Sequence, residues 1–102
     1  MANTLEKIIQ DKKETLNLIK KNNSLDSLEK KIKNLNFFNN FKKAIQNNKG
    51  ISLISEIKKA SPSAGVLVKD FNHLDIAKMY IDSGATCLSV LTEEKHFLGK
   101  LD

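Results

Sequence analysis

The sequence of 102 residues predicts an α/β fold: a parallel strand–helix–strand unit preceded by helices. Three observations predict it. Two apolar runs, residues 51–57 and 85–92, have the composition of strands covered on both faces rather than of exposed, alternating edge strands. Between them lies a stretch with helical spacing that opens at Asn72 and closes at Gly84. Upstream of both, apolar residues recur with helical rather than strand periodicity. A strand, a helix and a strand within about forty residues form a right-handed crossover with the two strands parallel.

Taken in order, residues 4–21 predict an amphipathic helix, with Leu5, Ile8, Ile9, Leu16 and Ile19 near one face and lysines opposite. Asn22, Asn23 and Ser24 break it. Asp26 and Glu29 resemble a capping pair that opens a short helix through Leu28 and Ile32 toward Asn34. Phe37, Phe38, Phe41, Ala44 and Ile45 make a further apolar stripe, which predicts a helix over 39–47. Its phenylalanines are read as packing against a neighbouring layer rather than as a stacking platform. Asn47, Asn48, Lys49 and Gly50 supply a stop.

The first strand follows, and then a loop with the sole proline, Pro62, and Gly65. Asn72 caps the next helix, Asp75 lies in its first turn, and Ile76, Ala77, Met79, Tyr80 and Ile81 form its buried side. The second strand contains Cys87, read as a packing residue, and runs into a second loop, Glu93 to Gly99. By character the chain divides into a helical extension, residues 1–50, and a βαβ unit, residues 51–102. One crossover leaves two strands with unpaired edges and one helix to cover them. That predicts the first part of a larger α/β domain.

Composition excludes several function classes. No apolar run approaches the roughly 20 residues of a membrane helix, and Met1 to Glu6 lack the basic-then-apolar layout of a secretory leader. A single cysteine cannot form an internal disulfide, which points to a reducing cytoplasm. His73 and His96 are isolated, so no metal-ligand spacing is present. The net charge is +5; all the excess lies in residues 1–50, the remainder is close to neutral, and every basic residue is lysine. Readers of phosphate and base edges lean on arginine for bidentate contacts, so nucleic-acid binding is not expected. The competing reading is a small basic helical module that binds RNA or protein through residues 1–50.

The candidate chemistry sits at the end of the first strand. Glu56 and Lys58 are two residues apart and therefore project to the same side of an extended chain. An acid and a base at the end of a buried strand are costly unless they pair or meet a ligand. In parallel α/β folds the reactive groups occupy the carboxyl ends of strands and the loops that follow. A lysine there can grip an anionic substrate or donate a proton, and a neighbouring glutamate can orient it or move protons itself. A surface ion pair at a strand terminus explains the same spacing. Both readings stay open on spacing alone.

Two longer stretches carry a resemblance. Leu53-Ile54-Ser55-Glu56-Ile57-Lys58-Lys59-Ala60-Ser61-Pro62-Ser63, followed by Gly65, resembles the signature of the indole-3-glycerol phosphate synthases. Leu88 to Gly99 is similar to the second strand and loop of that family, and Leu5-Glu6-Lys7-Ile8-Ile9 to its N-terminal extension. The resemblance implies the N-terminal part of a (β/α)8 TIM barrel (first strand, first helix, second strand) preceded by extension helices. It implies a lyase of tryptophan biosynthesis that needs neither metal nor organic cofactor. Its substrate is a phosphorylated small molecule, 1-(2-carboxyphenylamino)-1-deoxyribulose 5-phosphate. Fusion or association with other enzymes of the pathway is a further implication.

Carried over by motif, Glu56 is a catalytic carboxylate, Lys58 a catalytic lysine that also contacts substrate, Ser61 a lining residue, and Phe97 an apolar wall. Loop packing is the other explanation for Phe97. Ser63 and Pro62 shape the loop, and Glu93 is either a strand end or surface. The family's later lysine, carboxylates and phosphate-binding loops have no counterpart here. About three fifths of a barrel of about 250 residues lies outside the match, so the chain alone is expected to be inactive. Another phosphate-handling barrel enzyme of the same pathway is the runner-up within enzymes.

Overall fold

In a computed structural model, described over residues 3–102, the chain opens with helix α1 (Thr4–Asn22) and helix α2 (Leu25–Lys33). Met1 and Ala2, which begin the stretch read as lacking a leader, lie outside the described residues. Asn3 caps α1 reciprocally: its side chain accepts the Glu6 N–H at 2.8 Å, and the Glu6 carboxylate accepts the Asn3 N–H at 3.2 Å. The sequence pointed to Asp26 and Glu29 as the capping pair of α2. The cap is instead Ser24, whose hydroxyl accepts the Ser27 N–H at 3.1 Å. Asp26 lies inside the first turn, where its charge faces the positive end of the helix dipole without closing a cap. Neither helix buries a residue.

The residues up to Asn39 form one compact unit, and Asn40–Asp102 form a second. The second begins with α3 (Phe41–Asn47), which starts where Asn40 accepts the Lys43 N–H at 2.9 Å. Strand β1 (Ile54–Ile57) comes next, followed by two very short strands, β2 (Ala60–Ser61) and β3 (Gly65–Val66). Helix α4 (His73–Asp82) and strand β4 (Cys87–Val90) complete the order. β1 and β4 pair in parallel, with Ile54 opposite Cys87 and Glu56 opposite Ser89, so the expected strand–helix–strand unit is present. Asn72 accepts the Asp75 N–H at 3.1 Å, and Gly84, at φ 98°, follows the end of α4, both as the sequence predicted.

Three differences from the sequence reading have physical causes. The strands are shorter than the apolar runs because local polar contacts claim their flanks. Asn48 donates its side-chain amide to the Ile51 carbonyl at 3.1 Å, tying the start of the run to the end of α3. The ladder opens only at Thr86, whose hydroxyl accepts the Leu53 N–H at 3.0 Å while its own N–H donates to the Leu53 carbonyl at 2.9 Å. Second, the loop after β1 contains the antiparallel β2–β3 pair; two-residue strands are too short to leave a periodic signal.

Third, β1 is covered on one face, not two. Ser55 and Ile57 are buried and alternate with exposed Ile54 and Glu56. A uniformly apolar run looks the same whichever neighbouring layers are present, and only packing decides. The core is small and lies here: Ile57 and Ala60 are each 2% exposed. Cys87, expected as a packing residue, is also buried, its Sγ 4.0 Å from the Phe41 carbonyl. Helix α4 packs against β1, and its Tyr80 hydroxyl donates to the Glu56 carbonyl at 3.0 Å. The Leu53 and Ile57 carbonyls both accept from the β4 side, so the intervening Glu56 carbonyl faces the outer edge of β1. Tyr80 therefore satisfies an edge acceptor at the point where the candidate site begins.

Candidate active site

Because β1 and β4 run parallel, the segments that follow them emerge at the same end of the sheet. All four candidate residues belong to this end. Glu56 is the third residue of β1 and points to its open face, opposite the buried Ser55 and Ile57. Lys58 follows the strand with the same parity, and its Nζ lies 3.2 Å from Glu56 Oε1. The Glu56 side chain is 49% exposed and that of Lys58 32%. At that exposure an ion pair contributes about 1 kcal/mol or less to stability. What the pairing does accomplish is orientation: the carboxylate holds the ammonium over the open sheet face, reachable by a ligand.

Ser61 ends β2, and its hydroxyl accepts the Ala64 N–H at 3.1 Å across the turn that contains Pro62 and Ser63. The loop-shaping role expected of Pro62 and Ser63 fits that turn. The register Ser61 to Gly65 and the Leu67 N–H donated to the Lys59 carbonyl at 2.8 Å hold the segment after Lys58 in place. Gly65 adopts φ 68°, a left-handed conformation that side chains resist. The strand end that carries Glu56 and Lys58 is thus anchored on one side by Tyr80 and on the other by a hairpin.

Phe97 is half-buried in the turn after β4. That turn is organised by Glu93, whose role the sequence left open between strand end and surface. The Glu93 carboxylate accepts the N–H groups of Lys95 at 3.0 Å, His96 at 2.7 Å and Phe97 at 3.0 Å. The Glu93 carbonyl accepts the Gly99 N–H at 2.8 Å. The usable sequence signal was an acid placed directly before a single turn that does not continue as a helix, a weak pattern by itself.

A cavity of about 520 Å³ adjoins the end of β4, its lining including Phe71, Val90, Leu91 and Leu98 together with Lys59 and His73. None of Glu56, Lys58, Ser61 or Phe97 lines it. The ion pair therefore marks the candidate site by its chemistry, outside that cavity. Among the described residues no group of three His, Cys, Asp or Glu side chains is placed to hold a metal ion.

Comparison with known proteins places this geometry in context. The family model for indole-3-glycerol phosphate synthase matches residues 5–102. The chain is 45% identical over 97 residues to the indole-3-glycerol phosphate synthase of Desulforamulus reducens, covering 95% of this chain and 37% of that protein. It is 46% identical over 97 residues to the Clostridium acetobutylicum protein of that name, covering 94% and 37%. With the Legionella pneumophila (strain Lens) protein it shares 43% identity over 102 residues, covering 100% and 39%. The chain thus spans 37–39% of the length of these three curated relatives.

Proposed function

Since this chain belongs to the indole-3-glycerol phosphate synthase family, we propose that its strand-end pair serves that family's ring closure in tryptophan biosynthesis. The substrate is 1-(2-carboxyphenylamino)-1-deoxyribulose 5-phosphate and the product indole-3-glycerol phosphate. In this reading the ring carbon bearing the carboxylate bonds to the ketose carbonyl carbon. The bond to the carboxylate breaks to release CO2, and the former carbonyl oxygen leaves as water. Each step shifts charge onto or off oxygen, so a donor and an acceptor at one spot suit the reaction.

Glu56 and Lys58 take those roles. The Lys58 ammonium meets the anionic substrate and supplies a proton or a hydrogen bond to developing oxygen charge. The Glu56 carboxylate aims Lys58 and moves protons during dehydration. Ser61 lines the site from the hairpin, and Phe97 stands as an apolar wall for the aromatic ring or sugar. Residues 1–50 form the helical extension of a TIM barrel, and 51–102 its first βαβ unit. No cofactor takes part, and Cys87, buried and free, suits a cytoplasmic enzyme. Among the described residues no helix is long and apolar enough to cross a membrane.

The observation that carries this reading is the 3.2 Å contact between Glu56 and Lys58 on the open face at the carboxyl end of β1. A hybrid in which this chain replaces the matched segment of the Clostridium acetobutylicum relative provides the test. Lys58→Ala in that hybrid is expected to lower turnover by about 100-fold or more while far-ultraviolet circular dichroism stays unchanged, the scale of a lost acid–base group. Turnover within about threefold of the parent would exclude Lys58 from the chemistry. Residues 1–102 alone, with the open sheet face uncovered, are expected to give no detectable product.

A further inference from the structure

We infer that Glu93 is a positioning residue that sets Phe97 against the substrate ring, an inference that rests on the reading of Phe97 as the apolar wall. One carboxylate accepts three successive backbone N–H groups, at 3.0, 2.7 and 3.0 Å, and the last is that of Phe97 itself. Hydrogen bonds to an ionised acceptor are shorter and stronger than neutral ones, and three on one group fix the backbone of 95–97 as a unit. The exit from the turn is held as firmly. The Gly99 N–H returns to the Glu93 carbonyl at 2.8 Å, so Glu93 closes the loop at both of its polar ends.

The backbone around Phe97 departs from relaxed geometry in a way that needs such a clamp. Leu98, directly after it, sits at φ 53°, in the left-handed region that non-glycine residues rarely occupy. Gly99 lies against the Leu91 carbonyl so closely that a Cβ would collide with it. A strained residue and a crowded glycine persist only where their surroundings over-determine them. The three amides also absorb the negative charge of Glu93. A substrate carrying a carboxylate and a phosphate meets an aromatic wall there instead of a bare anion. Glutamate thus fixes the wall and screens its own charge from an anionic ligand.

The test couples two readouts. Amide hydrogen exchange on the chain itself follows Lys95, His96 and Phe97. Glu93→Ala is expected to speed all three at least about tenfold, while amides of β1 keep their rates. In the hybrid enzyme, Glu93→Ala is expected to raise KM about tenfold, the size of one lost charge-assisted hydrogen bond, and to leave kcat within about threefold. Phe97→Ala should raise KM as well, and the double variant should match Phe97→Ala alone, because the two residues act through one contact. Glu93→Gln, which keeps one oxygen acceptor, should fall between parent and Glu93→Ala and serves if the alanine variant fails to fold.

Multiplying KM effects in the double variant, or unchanged exchange at the three amides, would overturn the positioning role while sparing Phe97. A Phe97→Ala variant that leaves KM unaltered in an otherwise active hybrid would sink the reading of the wall itself, and this inference with it.

Discussion

Two glutamates stand at the carboxyl end of the same parallel strand pair, and their partners differ completely. Glu56 meets one side chain, Lys58, on an open face where both remain substantially exposed. Glu93 meets three backbone N–H groups and is half-buried in its own turn. The first arrangement keeps a charge available. The second consumes it. A carboxylate whose partner is one exposed ammonium can exchange protons and rearrange around a ligand, whereas one bound to three amides is a structural anchor. Position at a strand end is therefore not enough to mark a chemical group; what satisfies the group decides.

The contrast can be broken most sharply by neutralising each acid in turn. Glu56→Gln in the hybrid enzyme is expected to reduce kcat by about 100-fold, with exchange at Lys95, His96 and Phe97 unchanged. Equal effects of Glu56→Gln and Glu93→Gln on kcat would erase the distinction. Next in size, Gly99→Ala places a Cβ against the Leu91 carbonyl and is expected to cost about 1–3 kcal/mol in urea unfolding. It should also release the Phe97 amide. No loss of stability would mean that the second loop is looser than its contacts imply.

A smaller effect tests the anchoring of the first strand end. Tyr80→Phe removes the hydroxyl that satisfies the Glu56 carbonyl, and about 1 kcal/mol of stability should go with it. The smallest expected change is informative for that reason. Lys58→Ala should shift stability by less than about 1 kcal/mol, as for other exposed pairs, despite the large effect expected on turnover. A loss of several kcal/mol would show that the pair is structural, and would make the two glutamates alike.

How far the sequence anticipated these features varies with the range of the interaction involved. The helix caps at Asn72 and the stop at Gly84 were legible because capping depends on residues within one turn of each other. The start of α2 was misplaced by two residues because Ser24 and Asp26 are both competent caps, and backbone geometry alone chooses between them. The β2–β3 pair was missed because its strands are two residues long. The role of Glu93 stayed open between strand end and surface because its partners are main-chain amides, which leave only a weak side-chain pattern.

By itself the amino-acid order determined the alternation of helix and strand, the parallel crossover, the family, and the shared side of Glu56 and Lys58. Each follows from periodicity, local capping or a contiguous motif, and none requires knowing what lies across the fold. The tertiary structure alone decided that β1 is buried on one face, that Tyr80 seals the edge at Glu56, and that Glu93 grips the turn of Phe97. Those outcomes depend on which groups arrive at a given point in space to exclude water or accept a hydrogen bond, and periodicity does not encode that.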